Sequence, residues 1–483
     1  MTDALLQIED LRIHVGSAAG RSASSMLLEA CSFSLRQGER LTMVGESGAG
    51  KSLLAQAIMG TLPANLEATG SVRILGVPSN GQRKRTQALW GHGVMMLPQE
   101  PWTALSPLMR IGQQVAESAH YAGALAWPKA QTAAHVQLEA LGLQGTAQHW
   151  LHQISGGMAQ RVGVACASAA QARLLIADEP TKGLDPGACQ QVAALLMAAQ
   201  SQQQALLTIT HDLDLALQLG GQIAVLKQGR VVEQGATEAV LGNPKHPYTR
   251  ALVAAQPKHW PAYPFAGLAD AQPVLQAHAL AKRYGARTLF EKLDLHLRAG
   301  EVLAISGRSG CGKTTLGNVL LGLVQADSGT VDRALNLPRW KYQKLYQDPP
   351  AAFSPFRTLG QALADVCQLH QLPSGDIPTR MERLGLSGAL LSRMPHQVSG
   401  GELQRFALLR TLLLQPCFIF ADEPTSRLDP ITQRNTMQVL CESTAVQGCA
   451  MLLVSHDADL ARSCSQRHLT MRSHAPGTSA TLD

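Results

Sequence analysis

Short apolar runs alternate with stretches of helical periodicity in both halves of the chain, which points to helices layered over a largely parallel sheet, an α/β class. Leu41 to Val44 and Leu303 to Ser306 read as buried strands, each feeding a glycine-rich turn and then a helix that begins near Ser52 or Thr314. Leu174 to Ala177 and Phe418 to Ala421 read as buried strands that end in acidic residues. Leu206 to Thr210 and Met451 to Ser455 read as strands that stop just before a histidine. LKQGRVVEQG at 226–235 predicts a hairpin with Gly229 at its turn. The second half shows no such pattern and runs only 27 residues past His456, so it is expected to be a trimmed copy. Residues 243–273 carry Pro244, Pro247, Pro257, Pro261, Pro264 and Pro273, which argues against a continuous helix or central strand. The expected organisation is a first domain over 1–242, a partly extended linker draped over the surface at 243–273, and a second, shorter domain over 274–483.

The halves are copies. GESGAGKS at Gly45 to Ser52 recurs as GRSGCGKT at Gly307 to Thr314. Lys51 and Lys313 differ by 262 positions, Gln99 and Gln347 by 248, Ser155 and Ser399 by 244, Asp178 and Asp422 by 244, and His211 and His456 by 245. The fall from 262 to 248 places a 14-residue deletion between the phosphate loop and the glutamine of the second copy. A unit of about 240 residues is too long for a solenoid repeat and reads as two fused domains.

Composition narrows the setting. The 483 residues, 45% hydrophobic and 16% charged, suffice for two globular cores. A net charge of +6 fits an ordinary solvated surface better than a nucleic-acid or lipid footprint. Nine scattered cysteines with no CxxC pair exclude a zinc ribbon or local cluster site and fit a reducing cytosol. The N-terminus carries Asp3, Glu9 and Asp10 and no secretory signal pattern. No apolar run reaches the roughly 18 residues that span a bilayer, so a role at a membrane requires a membrane partner.

The repeated motifs carry phosphate chemistry. In Gly45, Glu46, Ser47, Gly48, Ala49, Gly50, Lys51 and Ser52, and again in Gly307, Arg308, Ser309, Gly310, Cys311, Gly312, Lys313, Thr314 and the adjoining Thr315, glycines let backbone N–H groups turn around phosphates. Lys51 and Lys313 reach the β and γ phosphates, and Ser52 and Thr314 offer a hydroxyl to magnesium. ISGGMAQR at 154–161 and VSGGELQR at 398–405 put Ser155, Gly156, Gly157 and Ser399, Gly400, Gly401 at a helix start, a second anion-binding element in each half. LLIADEPT and FIFADEPT place two carboxylates at a strand end, where neighbours point oppositely; Asp178 and Asp422 are assigned to the metal, Glu179 and Glu423 to the attacking water. His211 and His456 are candidates for contact with the γ-phosphate, and Gln99 and Gln347 for magnesium and water.

This constellation, with the GLD (183–185) and RLD (427–429) turns, resembles the ATP-binding cassette family over nearly the whole chain. The resemblance implies ATP and Mg2+ as ligands and two tandem nucleotide-binding domains, each a RecA-like α/β core with a helical signature subdomain. It implies head-to-tail closure, with Lys51, Asp178, Glu179 and His211 facing Ser399 to Gly401, and Lys313, Asp422, Glu423 and His456 facing Ser155 to Gly157. Neither half lacks a carboxylate or histidine, so two hydrolytic sites are expected. Tyr284 fits the aromatic that stacks on adenine; the first half offers only His14 or Val15 there. Lys182 and Arg427 put positive charge beside Asp185 and Asp429, which reads as solvated charge.

NPKHPYTRAL at 243–252, and the pair QEPWTALSP (99–107) and QDPPAAFSP (347–355), resemble cassettes that power import of oligopeptides, dipeptides, nickel and related metal complexes. That subfamily implies two integral-membrane permease subunits, an extracytoplasmic substrate-binding protein, and a peripheral location on the cytoplasmic face of the inner membrane. Trp102 and Phe353 are candidates for the groove that receives a permease helix, with burial in the helical subdomain as the open alternative. No cysteine occurs within 243–273, so no iron–sulfur cluster is expected, and no nucleic-acid partner either. A twin-cassette translation factor acting on ribosomes is the rival reading, but it would be expected to carry a long charged helical linker. A fused sugar importer ATPase is a second rival, often with one degenerate site. The cargo stays open.

Overall fold

The computed structural model describes all residues except 1–3, 17–25, 47, 80–82, 201–203, 266–270, 272, 286, 308–309, 335–336, 473–480 and 483. The chain divides into two compact units, Met1–Val253 and Ala254–Asp483.

In the first unit a six-stranded sheet runs in the order Arg230–Ala236, Gln222–Lys227, Arg40–Gly45, Ala205–Thr210, Leu174–Asp178, Val94–Leu97. Only the Arg230–Ala236 edge strand is antiparallel to its neighbour. Every residue of Leu174–Asp178 and Ala205–Thr210 is buried, because helices cover both faces of a parallel sheet. On one face the Lys51–Met59 helix is packed between this sheet and a four-stranded antiparallel sheet built on Leu6–Val15, so that Leu54 and Ile58 share a core with Leu11, Ile13 and Met43. On the other face lies a helical layer of Ile111–Glu117, Trp127–Ala140, Gly156–Ala169 and Pro186–Gln200.

The second unit repeats this plan. Its sheet order is Tyr342–Leu345, Phe418–Asp422, Ala450–Val454, Val302–Ser306, Arg467–Arg472, Thr481–Leu482. A three-stranded antiparallel sheet of Arg287–Arg298, Pro273–Tyr284 and Ser328–Arg333 accompanies it.

Two expectations are corrected. The hairpin of the first unit turns at Gln228 (φ 47°) and Gly229 (φ 80°), the two positive angles of a type I′ turn. The second unit has a short counterpart, since Thr481–Leu482 pairs antiparallel with Arg467–Arg472. Backbone pairing across residues 473–480 is not visible in a local hydrophobic pattern. Nor is 243–273 an independent extended linker. Pro247–Ala254 is a helix with proline at its first position, where the missing N–H costs nothing, and Tyr248, Thr249 and Leu252 are buried in the first unit. Beyond it, Trp260, Tyr263 and Phe265 pack on the helical core of the second unit, and Tyr263 N–H donates to the Ser463 carbonyl at 2.8 Å. The apolar residues between the prolines therefore divide the segment between the two units.

Candidate functional site

In the first unit the buried Arg40–Gly45 strand delivers the chain to Gly45, where a Cβ would lie 2.0 Å from the Leu226 carbonyl oxygen. Only glycine lets the loop leave the sheet so close to the next strand. The loop closes onto the Lys51–Met59 helix through Gly50 at φ 95°. Lys51 is buried, and its Nζ donates to the carbonyls of Gly45 and Glu46, both at 2.8 Å. The second unit matches this: a Cβ on Gly307 would meet the Met471 carbonyl oxygen at 2.4 Å, Gly312 has φ 108°, and Lys313 Nζ donates to Gly307 at 2.6 Å. Ala49 and Cys311 point into their cores, while Gly48 and Gly310 bracket open turns. Ser47, Arg308 and Ser309 lie outside the described residues.

Asp178 and Asp422 end their strands almost fully buried. Burial pushes the Asp178 carboxyl up to about 6, opposed chiefly by a hydrogen bond with Ser52. Asp422 is raised for the same reason and opposed by Thr314. Among the described residues Asp178 Oδ1 is buried with no hydrogen-bond partner, while the carboxyl group as a whole is hydrogen-bonded with Ser52. A buried carboxylate oxygen left this way is costly unless a ligand meets it, and a hard cation takes oxygen donors of this kind.

Glu179 and Glu423 both have φ 51°. This corrects the strand-alternation argument: the strand ends at the aspartate, and a left-handed residue, not the pleat, turns the glutamate aside. Such backbone costs about 1–2 kcal/mol in a non-glycine residue. Glu179 Oε1 lies 2.9 Å from His211 Nδ1, and Thr210 Oγ1 donates to Oε2 at 3.2 Å. Burial alone would raise Glu179, but His211, with Lys51 and Lys182, more than offsets it and holds the carboxyl below its ordinary value. Burial would lower His211, and Glu179 reverses that. In the second unit His456 Nε2 stands 3.3 Å from Glu423 Oε1 without the alignment of a hydrogen bond. Burial, reinforced by Asp422, pushes Glu423 up to about 8.

Ser155 and Ser399 cap the Gly156–Ala169 and Gly400–Leu413 helices, accepting from Met158 N–H at 3.3 Å and Glu402 N–H at 3.2 Å. Glu402 completes a capping box by accepting from Ser399 N–H at 2.8 Å. Ser155, Gly156, Ser399 and Gly400 are exposed, whereas Gly157 and Gly401 back onto Leu184 and Leu428. Gln99 is half-buried just beyond Val94–Leu97, and Gln347 is exposed at the equivalent place. Tyr284 is 54% exposed at the end of its strand, with Lys282 Nζ 5.5 Å from the ring centroid. His14 and Val15 are half-buried at the end of Leu6–Val15.

Several functional side chains escaped sequence reasoning. Gln160, in the signature helix, donates to the Glu179 and Pro180 carbonyls at 3.1 and 3.2 Å, tying that helix to the catalytic turn; its match Gln404 donates to Tyr346 instead. The shared glutamine in GMAQR and GELQR was the available signal. Arg427, read as a solvated charge, is partly exposed and also pairs with Asp348 of the glutamine loop at 2.7 Å. Phe353 belongs to the core, while Trp102 is 43% exposed. More exposed still are Leu108 and Phe356, at 83% and 86%, matched positions nine residues past Gln99 and Gln347.

The ABC transporter family pattern matches residues 28–182 and 290–426, which hold both phosphate loops, both glutamines, both signature sequences and both acidic motifs. The chain belongs to the ABC transporter family. It is an ATP-binding, ATP-hydrolysing protein of tandem cassettes. Residues 232–290 further match the oligopeptide/dipeptide transporter C-terminal region. The chain is 32% identical to a peptidoglycan transport ATP-binding protein of Agrobacterium fabrum, over 98% of this chain and 91% of that protein. It is also 32% identical to a glutathione import ATP-binding protein of Escherichia coli, over 91% and 81% of the two chains. Among solved structures, ribosome-bound archaeal Pelota and ABCE1 aligns with a TM-score of 0.69 at 20% identity, covering 98% of this chain and 78% of that one. That likeness shows the fold alone. Among the described residues no helix is long and apolar enough to cross a membrane.

Proposed function

We propose that this tandem ABC ATPase energises uptake of peptide-class solutes through partner permeases, with nickel or metal–chelator complexes as the other cargo the subfamily allows. The observation that carries the importer reading is the oligopeptide/dipeptide region over 232–290, folded onto the first cassette through the Pro247–Ala254 helix. The relatives named for peptidoglycan and glutathione transport support a cargo that contains peptide bonds.

Within each cassette the proposed roles follow the geometry. Lys51 and Lys313 exchange loop carbonyls for phosphate oxygens. Ser52 with Asp178, and Thr314 with Asp422, would hold magnesium, with Gln99 and Gln347 alongside; the partnerless Asp178 Oδ1 fits that role. Magnesium, when bound, neutralises phosphate charge and orients the oxygens to be displaced. Glu179 and Glu423 polarise the attacking water, and His211 and His456 steady that carboxylate and face the γ-phosphate. Ser155 to Gly157 and Ser399 to Gly401 each start a helix whose N-terminus can bind a phosphate group. Tyr284 stacks on adenine. ATP then favours the closed pair, and hydrolysis reopens it, so free energy reaches the cargo through differential binding to two states. Trp102, Leu108 and Phe356 are apolar, exposed candidates for contact with permease helices. The place of action is the cytoplasmic face of the inner membrane, with an extracytoplasmic binding protein supplying specificity.

Affinity purification of the tagged chain from detergent-solubilised native membranes, followed by mass spectrometry, tests this. Two multi-span permeases and a binding protein are expected. Ribosomal proteins without a permease would overturn the importer in favour of the twin-cassette translation factor.

A further inference from the structure

The HPYT segment makes a contact that the proposed cycle does not use. Tyr248, second residue of the Pro247–Ala254 helix, is 5% exposed, and its phenolic oxygen accepts a 2.8 Å hydrogen bond from the backbone N–H of Glu46. Glu46 is the second residue of the first phosphate loop. Its carbonyl oxygen in turn accepts from Lys51 Nζ at 2.8 Å. Both backbone groups of Glu46 are therefore held, one by the tyrosine and one by the phosphate-binding lysine.

The tyrosine is itself well anchored. Lys227 Nζ lies 5.0 Å from its ring centroid, at the end of the strand that pairs with Gly45. Tyr248 N–H donates to His246 Nδ1 at 3.2 Å. Glu233, on the hairpin, accepts from the N–H groups of Lys245 and His246 at 2.8 and 3.0 Å. Thr249 and Leu252 of the same helix are 0% exposed. The hydroxyl is thus delivered to the loop by a rigid, buried element.

A phosphate loop binds through its backbone N–H groups, and those groups must face inward before the ligand arrives. An N–H engaged by Tyr248 is not available to a phosphate, so the bond acts on its neighbours: it sets the plane of the peptide at which the loop leaves the sheet. HPYT occurs once in the sequence. We propose that Tyr248 is a positioning residue for the first phosphate loop, pinning Glu46 so that the amides that follow are preorganised for nucleotide, and that it acts on the first loop alone. This rests on the reading of Gly45 to Ser52 as a nucleotide-binding loop.

The test uses the full chain, magnesium and a fluorescent ATP analogue, with Tyr248→Phe placed in two backgrounds. In Lys313→Ala, which leaves the first loop as the binding loop, Tyr248→Phe is expected to weaken binding about fivefold, the worth of one hydrogen bond. In Lys51→Ala, which leaves the second loop, it is expected to change nothing. Hydrogen exchange at the Glu46 amide should speed up in Tyr248→Phe while exchange at Leu252 stays slow. No weakening in the first background, or equal weakening in both, overturns the proposal. Fast exchange at Leu252 as well would mean that the helix and not the hydroxyl had been lost, and overturns it too. Unaltered binding in the Lys51→Ala, Lys313→Ala double variant would refute the phosphate-loop reading, and the proposal with it.

Discussion

The two cassettes share every site motif, yet they hold their glutamates in different electrostatic settings. In the first, Glu179 is clasped by His211 at 2.9 Å and by the Thr210 hydroxyl at 3.2 Å, and the carboxyl lies below its ordinary value. In the second, His456 Nε2 lies 3.3 Å from Glu423 Oε1, Ser455 accepts from Asp457 N–H just as Thr210 accepts from Asp212 N–H, and burial with Asp422 pushes Glu423 up to about 8 against Lys313 and the His456 N–H. In the first cassette, then, the surroundings favour the ionised form of Glu179, and two hydrogen bonds orient it. In the second, Glu423 shares a desolvated corner with Asp422 and depends on Lys313 for compensation. Identity of motif does not carry identity of electrostatic setting, because a buried carboxyl is shifted chiefly by its desolvation and by one or two close neighbours.

The sharpest way to break this comparison is to remove the two glutamates separately. Glu179→Gln is expected to lower steady-state ATPase by at least about 100-fold, the usual worth of a general base. Glu423→Gln is expected to lower it less. A larger fall in Glu423→Gln would reverse the ranking, and full activity in either variant would end the two-site reading.

Packing behind the phosphate loops gives the next effect. A Cβ on Gly317 would sit 2.2 Å from the Phe420 ring, whereas the first cassette fills the matched positions with Ala55 and Ile176. Gly317→Ala should destabilise the second unit by about 2 kcal/mol, overpacking outweighing the gain in helix propensity. Adding Phe420→Ile should restore most of the melting temperature. A single variant that melts at or above the parent would show that the ring moves aside freely.

Thr210→Val deletes the hydroxyl that orients Glu179 and should cut ATPase about tenfold, the worth of one charged hydrogen bond. Ser455→Ala removes a hydroxyl that has no hydrogen bond to Glu423 among the described residues and should change it by less than about twofold. Similar losses in both would make the two clasps equivalent. Smallest is Arg427→Ala. Its ion pair with Asp348 is half open to solvent, so thermal melting should register no more than about 0.5 kcal/mol. The first cassette has Gly183 in the matched position.

Much of this molecule is legible before folding. A strand, a glycine turn and a helix are adjacent in sequence, so Arg40–Gly45 and Lys51–Met59, and their partners Val302–Ser306 and Lys313–Leu321, follow from local pattern. The offsets between copies establish tandem cassettes, and the residue types at those offsets establish ATP chemistry. Local pattern misled where backbone or long-range contact decides. Glu179 and Glu423 look like strand residues, and their N–H groups still donate to Ile209 and Val454 on the neighbouring strand, but their backbone is left-handed. Trp102 and Phe353 are both apolar residues of the glutamine loops, yet Phe353, like its match Leu105, is buried and Trp102 is not.

By itself, then, the sequence determined the family, the doubled architecture and the list of chemical groups, since each of these depends on residue type and spacing along the chain. Only the tertiary structure decided which groups meet. Glu46 and Tyr248 stand 202 residues apart and share a hydrogen bond. Glu179 and Glu423 share a motif, yet their surroundings shift the two carboxyls in opposite directions. Hydrogen bonds and desolvation act over a few ångströms of space, and a linear pattern does not encode that distance.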